Sequence, residues 1–486
     1  MRVRISFTSV IDTTKAGSGQ TSRVARAPRR VVSVARLSAW AVIAVLPAGC
    51  AIYHPLPLDD RQATPLAGLH VAAGTLLAGG IRTHTFDPSD GLDATEVAML
   101  AVMQSPDLKV MRAQANVNRA QAFAAGLLPD PVLGLSQDRP NAGQAGASTA
   151  YTHGVSWDVG SLVTFASRQT AHRRTDEQVD LSLLWAEWQT VAESRLQFVR
   201  VQRGREFVAR LEAEAAALRP LTPRLSAALE HGIVTFDVAT TGLSAVSDVE
   251  RQLTEARDAL ANREQDLRVM LGLPAAEPLP LVGDVDVPPI DAAAANDALE
   301  ALPRHRPDLR ALALGYAAEE ARVRAAILGQ FPAVNLGVSR SRDNTGISST
   351  GLSLGISLPL FDANRGAIRV ERATREQLHA EYQQRLLNAR AEVTRLLSTQ
   401  ALLVAREAEL VPHTTALEAA RAHAALAYER GTIDWTVYLG LRQSALAAAV
   451  ELITLRDALA ETRIGLATLL SGEWAARTDT AGGTAP

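Results

Sequence analysis

The chain has 486 residues, a net charge of −3 and 47% apolar composition, enough for two or three domains or one elongated duplicated unit. A lone cysteine, Cys50, excludes internal disulfides and any Cys-based metal site, and the acidic balance argues against nucleic acid, which wants a basic face. No phosphate loop, Rossmann glycine pattern, nucleophile elbow or HExxH zinc motif occurs, so neither an enzyme nor a cofactor is expected.

Residues 1–49 read as a signal peptide. Seven arginines and Lys15 oppose one acid, Asp12, so the segment carries +7 and leaves −10 for the remainder. Its apolar run, residues 37–46, is too short to span a bilayer as a helix. Ala48-Gly49 then precede Cys50. This end of the leader resembles the bacterial lipobox, whose cysteine is acylated. Pro47 stands where that motif prefers leucine, which keeps plain cleavage nearby as the alternative. The basic stretch is long for such a signal, and Val24 or Val31 could be the start. Residues 50–92, rich in Pro, Gly and Ala, read as a lipid-anchored tether.

The chain then contains itself twice. Ser105-Pro106-Asp107-Leu108 recurs as Arg306-Pro307-Asp308-Leu309, and the same offset carries Pro131 onto Pro332 and Gly154 onto Gly355. Gly232-Ile233-Val234-Thr235 is answered by Gly431-Thr432-Ile433-Asp434. We place the first repeat at 93–273, a linker at 274–295, the second repeat at 296–472 and a tail at 473–486. A helix capped by Asp93 with Glu96 is predicted from Asp93 to about Leu127.

A period of two follows. Strands are predicted at about 131–139, 150–159, 332–340 and 351–360, with Asn141–Thr149 and Ser341–Thr350 as polar connections. Leu133, Leu135, Val155, Trp157, Val334, Leu336, Val338, Leu352, Leu354, Ile356 and Leu358 alternate with small or polar residues. Such alternation fits either a soluble sandwich or a membrane barrel with the apolar residues toward lipid. Phe331 and Phe361 fall at one end of the second hairpin, as an interfacial girdle would.

The helices decide between these readings. Helical stretches at about 161–218 and 363–410, with returns at 224–271 and 413–471, are far longer than globular helices. Apolar residues recur along them at coiled-coil-like spacing, as in Leu181, Leu184, Trp188, Val191 and Phe198, with alanines between. These helices pack on one another and leave the strands' apolar faces to lipid. Four strands cannot close a barrel, and open edges cannot stay in hydrocarbon, so copies must combine.

A duplicated helix, β-hairpin and long helix pair behind a lipoprotein-type signal resembles the TolC-like outer-membrane efflux factor family over residues 93–472. The carrying motifs are Pro-Asp-Leu in each repeat, Gly126–Pro131 entering the first hairpin, Leu358–Ile368 leaving the second, Tyr428-Glu429-Arg430-Gly431, and Leu-Ser-Gly at 470–472. The stretch leaving the second hairpin is most similar to the heavy-metal-efflux branch. The resemblance implies a mainly α fold with a small membrane β-barrel, in which a homotrimer builds twelve strands on a periplasmic α-helical barrel. It also implies a periplasmic adaptor and an inner-membrane RND-type pump as partners, together with outer-membrane lipid.

It further implies that Thr152, Gly154, Ser156, Asp158, Asn335, Gly337, Ser339, Ser353, Gly355 and Ser357 line an aqueous pore, and that the helix reversals meet the adaptor. The second reversal is expected at Leu410-Val411-Pro412, where proline can open a helix. For the first, Pro220 and Pro223 compete with a turn near Leu211 to Ala215. Family members narrow this tip with acids, and Glu212, Glu214, Glu407, Glu409 and Glu418 are nearby, with Glu418 the gate candidate. Heavy-metal cations are the first expectation for cargo, drugs or small organic toxins the second. An adaptor lipoprotein should have one coiled-coil hairpin among β modules, and a lipid-anchored enzyme should have a site.

Overall fold

In this computed structural model, residues 53–58, 65–66, 84, 86–141, 148–283 and 287–470 are described. The chain divides into residues 1–61 and 62–486; of the first unit, residues 53–58 form an exposed, non-helical stretch. No described helix is long and apolar enough to cross a membrane.

Each repeat opens with two helices rather than one. They are α1 (Ala94–Gln104) and α2 (Pro106–Gly126). The expected single helix is interrupted at Ser105-Pro106. Ser105 leaves helical geometry and caps the Leu108 N–H, and Pro106 takes the first-turn position where its missing N–H costs nothing. At the start, Asp93 accepts from Thr95 and Glu96 while Glu96 reaches back to the Asp93 N–H, a reciprocal cap that satisfies orphan donors.

The first hairpin follows, β1 (Val132–Asp138) and β2 (Ala150–Asp158), then α3 (Ser161–Leu218), α4 (Leu221–Glu230) and α5 (Phe236–Met270). The second repeat has α6 (Ala292–His305), α7 (Pro307–Leu328), β3 (Val334–Arg342), β4 (Ser348–Ile356), α8 (Arg365–Glu429) and α9 (Trp435–Leu470). The repeated Pro-Asp-Leu is thus the joint between α1 and α2 and between α6 and α7.

At 58 and 65 residues, α3 and α8 extend about 87 and 98 Å at 1.5 Å per residue. No shorter helix could accompany either one throughout, and the ion pairs show how the span is shared. Arg119–Asp180 and Arg112–Glu187 join α2 to the first part of α3, whereas Arg205–Glu264, Arg257–Glu212 and Arg219–Glu250 join α5 to its last part. Along α8, Arg385–Asp308 and Arg375–Glu320 reach α7, then Arg456–Glu407 and Arg406–Glu451 reach α9. Many are exposed pairs worth under about 1 kcal/mol each, so they mark register more than they hold it.

Apolar packing supplies the cohesion. One core gathers midway along α3, where Phe198 is fully buried among Val97, Leu100, Leu267 and Leu271. A second lies farther down, where Leu211, Leu218, Val249, Trp435 and Leu439 meet. On the other side Ile290, Val393 and Leu466 form a third under α6.

Candidate channel surfaces

The two hairpins join into one antiparallel sheet in the order β1-β2-β3-β4. Its register fixes what each face carries. Leu133, Val155, Val338 and Leu352 lie in one cross-strand row, and Trp157, Leu336 and Leu354 lie in the next row of the same face. Val334 pairs with Ile356 beyond them. The intervening rows belong to the opposite face: Gly154 with Ser339, Ser156 with Gly337 and Ser353, and Asp158 with Asn335 and Gly355, with Thr152 beside Ser341. The residues expected to meet lipid therefore share one face, and those expected to line the lumen share the other. Val132 is an apolar residue on the small, polar face.

Two boundaries differ from expectation. β3 and β4 pair up to Arg342 and Ser348, so the connection shrinks to residues 343–347. Backbone pairing outlasts the apolar pattern here because Ser341 and Ser349 hydroxyls bond across the strands at 2.8 Å and Asp343 Oδ1 accepts from Thr345 and Ile347 to close the turn. At its other end β4 stops at Ile356, short of residue 360. Ser357 makes the last link, to the Ala333 carbonyl, and Pro359 has no N–H to continue. Ser357 and Leu358 thus lie just past the strand, with Leu358 exposed.

The strand-to-helix corners are specific. Gly160 donates to Val334 O at 3.1 Å, and a Cβ there would sit 2.8 Å from the Val334 nitrogen. In the second repeat Ala363 and Asn364 both take positive φ, and the Asn364 amide donates to Ala326 O at 2.7 Å. Arg365 binds back onto the Phe361 and Asp362 carbonyls. The Leu358–Ile368 motif is this corner.

The helix reversals lie elsewhere than expected. α8 runs straight through Val411 and Pro412, because the carbonyl that Pro412 leaves unbonded, that of Ala408, is on an exposed turn where water can serve it. The turn comes at residues 430–434. Gly431 has φ +70°, Thr432 N–H returns to Ala427 O at 2.9 Å, and Asp434 caps the Val437 N–H at 2.8 Å. The first repeat turns identically at residues 231–235. Gly232 has φ +67°, Ile233 N–H returns to Ala228 O at 2.8 Å, and Thr235 caps α5. A left-handed glycine after the helix followed by a Thr or Asp cap is a two-helix hairpin signal. The repeated Gly-x-x-Thr/Asp carries that signal in the sequence.

Accordingly Leu211 is a fully buried core residue within α3, and Pro220 sits at the joint between α3 and α4. The acids expected near a tip are all paired within the chain. Glu212 meets Arg257, Glu407 meets Arg456, and Glu409 meets Arg406. Glu418 is bound by Arg210 of α3 and by Arg421. Glu214 is 4% exposed and takes two bonds from Arg442 of α9, at 2.7 and 2.8 Å, while Arg442 also donates to the Tyr438 hydroxyl at 2.8 Å. Burial, followed by the Arg421 charge, pushes Arg210 below the usual guanidinium range, with Glu214 opposing.

Nearer the sheet, Glu319 of α7 is 1% exposed and binds Arg322, and it faces Glu371 of α8. Hydrogen bonding to Glu319, then burial, raises Glu371 to about 7. Among the described residues, His84, Asp93 and Glu96 lie within ligand reach of one another, but Asp93 and Glu96 are already engaged as the α1 cap.

Comparison with known proteins finds relatives of this geometry. Residues 298–472 match the family described as outer membrane efflux protein. The second repeat therefore resembles that family in sequence. The chain's fold matches that of CusC, in structures described for folding and transmembrane channel formation, at TM-score 0.66 and 16% identity, covering 86% of this chain and 99% of that one. The CmeC outer membrane channel of Campylobacter jejuni gives TM-score 0.66 at 13% identity, covering 87% and 95%. The outer membrane protein VceC of Vibrio cholerae gives 0.64 at 16%, covering 78% and 95%. A search of curated proteins finds no match.

The matched family is described as outer membrane efflux protein, and similar solved structures are described as outer-membrane channels. Cys50, the leader and the tail from residue 471 lie outside the described residues.

Proposed function

We propose that this chain is the exit duct of a tripartite efflux system, assembled as a homotrimer with a lipidated Cys50. The supporting observation is a four-stranded sheet with one apolar face, one small polar face and open edges at β1 and β4, mounted on helices about 90 Å long. Unpaired edge groups cost several kcal/mol each in hydrocarbon, and copies that pair β1 with β4 remove that cost. Three copies give twelve strands around a wet lumen. The face of α2 that carries Val110, Met111 and Val117 is exposed in the single chain and is where a neighbouring helix pair would pack.

The tip that meets a periplasmic adaptor is the pair of reversals, with Ile233 and Phe236 of the first and Val437 of the second exposed there. An inner-membrane RND-type pump completes the path. Heavy-metal cations are the proposed cargo, on the similarity of the Leu358–Ile368 corner to the metal-efflux branch. A lumen of Gly, Ser, Thr and Asn suits transit, since tight ligands would slow exit. Drugs or small organic toxins are the second reading.

Light scattering of the detergent-extracted protein, corrected for detergent, should give three chains per particle. A monomer that needs no detergent would remove the duct. A deletion strain should lose resistance to zinc, cobalt, copper or silver; loss of drug resistance alone would refute the metal assignment.

A further inference from the structure

The apolar face of the sheet changes character toward its hairpin end. The row after Leu133-Val155-Val338-Leu352 is Leu135-His153-Arg340-Thr350, and the next is Gln137-Tyr151-Arg342-Ser348. Two arginines, a histidine and a tyrosine thus stand on the face that otherwise carries Leu, Val and Trp. All four are exposed. Neither guanidinium pairs with a carboxylate among the described residues, and the nearby Asp343 is occupied in closing the turn.

Arginine on the lipid side of a barrel is strongly disfavoured at the midplane and tolerated at the interface. Arg340 lies six residues beyond Val334, about 20 Å along the strand at 3.3 Å per residue. It stands past the last wholly apolar row, where the headgroups of the outer leaflet begin. Arg340 and Arg342 are about 6.6 Å apart on one strand, with His153 and Tyr151 directly beside them about 4.8 Å away on the next. Guanidinium forks grip phosphate oxygens bidentately, imidazole and phenol add donors, and the rows below receive acyl chains.

We infer that this patch binds the phosphate-bearing headgroup of an outer-leaflet lipid, seating its chains on Val338, Leu352 and Val155. The inference rests on reading this face as the lipid side. A phosphate ion alone would use the two arginines but not the apolar rows, whereas a phosphorylated lipid uses both.

The test compares the detergent-extracted wild-type protein with R340A/R342A, after incubation with a diphosphorylated glycolipid, with phosphatidylglycerol or with diacylglycerol, which has no phosphate. Native mass spectrometry should show retained phosphorylated lipid in the wild type and at least a fivefold loss in the variant, with diacylglycerol retention the same in both. Equal retention by the two proteins would overturn the proposal. So would displacement of the lipid by millimolar inorganic phosphate, which would mark an ion site. A separate arm guards the underlying reading: an impermeant maleimide should modify S339C and spare V338C in vesicles, against the parent background. Modification of V338C would show that this face is wet and would refute the lipid side itself.

Discussion

Removing one partner of the Arg442–Glu214 pair should loosen the contact between α3 and α9 far more than removing both. The two side chains are 6% and 5% exposed, joined by two bonds of 2.7 and 2.8 Å, and Arg442 lies 5.4 Å over the Tyr438 ring. Arg442→Leu strands a buried carboxylate whose next cation, Arg421, is 3.9 Å away. Breaking such a pair costs about 3–5 kcal/mol, whereas replacing both ions by apolar groups is often neutral or stabilising. At 1.36 kcal/mol per tenfold, amides of α9 around Tyr438 to Ala445 should exchange about 150- to 5,000-fold faster in Arg442→Leu, up to the limit set by global opening. Glu214→Leu should behave alike, and the double variant should recover most of the protection. Hydrogen exchange by mass spectrometry measures this directly, and bilayer conductance reports whether the loosened end also passes more ions. Single variants within threefold of wild type, or a double variant equal to the product of the singles, would refute the claim that this pair is a buried, mutually dependent link.

Gly232→Ala and Gly431→Ala should each destabilise by about 1 kcal/mol, because both glycines hold positive φ with open space around them, so the cost is conformational and not steric; thermal unfolding in detergent checks this. Pro412→Ala should leave assembly intact and raise stability, since it restores a helix bond; loss of the folded protein would show that residue 412 lies at a turn after all. Glu371 is raised from its ordinary value of 4.5 to about 7, so its favourable contribution is complete below pH 4.5 and is lost as pH rises through about 7. The wild type should therefore melt lower at pH 8 than at pH 5, and Glu371→Gln should shrink that difference.

The duplication, the strand alternation and the extent of α3 were legible because each rests on local chemistry: turn residues, a period of two, and an unbroken run of helix formers. The division of the strands into two faces was legible for the same reason, and the pairing respects it, since a slip of one residue would put Leu336 or Val338 beside Ser156. The reversals were misplaced because proline was weighed above glycine. Pro412 is a strong breaker only where its lost bond is buried, and here it faces outward on a helix held by Leu410 and Thr414 on its inner side. The partners of Glu418 were illegible for a related reason. An acid on a long helix looks free in sequence, and only the neighbouring helices reveal Arg210 and Arg421.

The links between repeats also explain why the halves need not move as one. β2 and β3 pair along eight residues at the sheet, and Arg322 reaches Thr175 just below it. Farther down, the first repeat is jointed at Pro220 and the second is continuous through Pro412, so the two reversals hang from supports of unequal stiffness. Near that end α3 meets α9 through the apolar core of Leu211, Leu218, Trp435 and Leu439, and two ion pairs, Glu418 with Arg210 and Glu214 with Arg442, fix its register against α8 and α9. Apolar contacts tolerate small sliding, but a bidentate guanidinium–carboxylate pair does not. The reversal end is therefore the place where loss of two ion pairs would release one hairpin against the other, while the sheet end, sewn by backbone bonds, stays fixed.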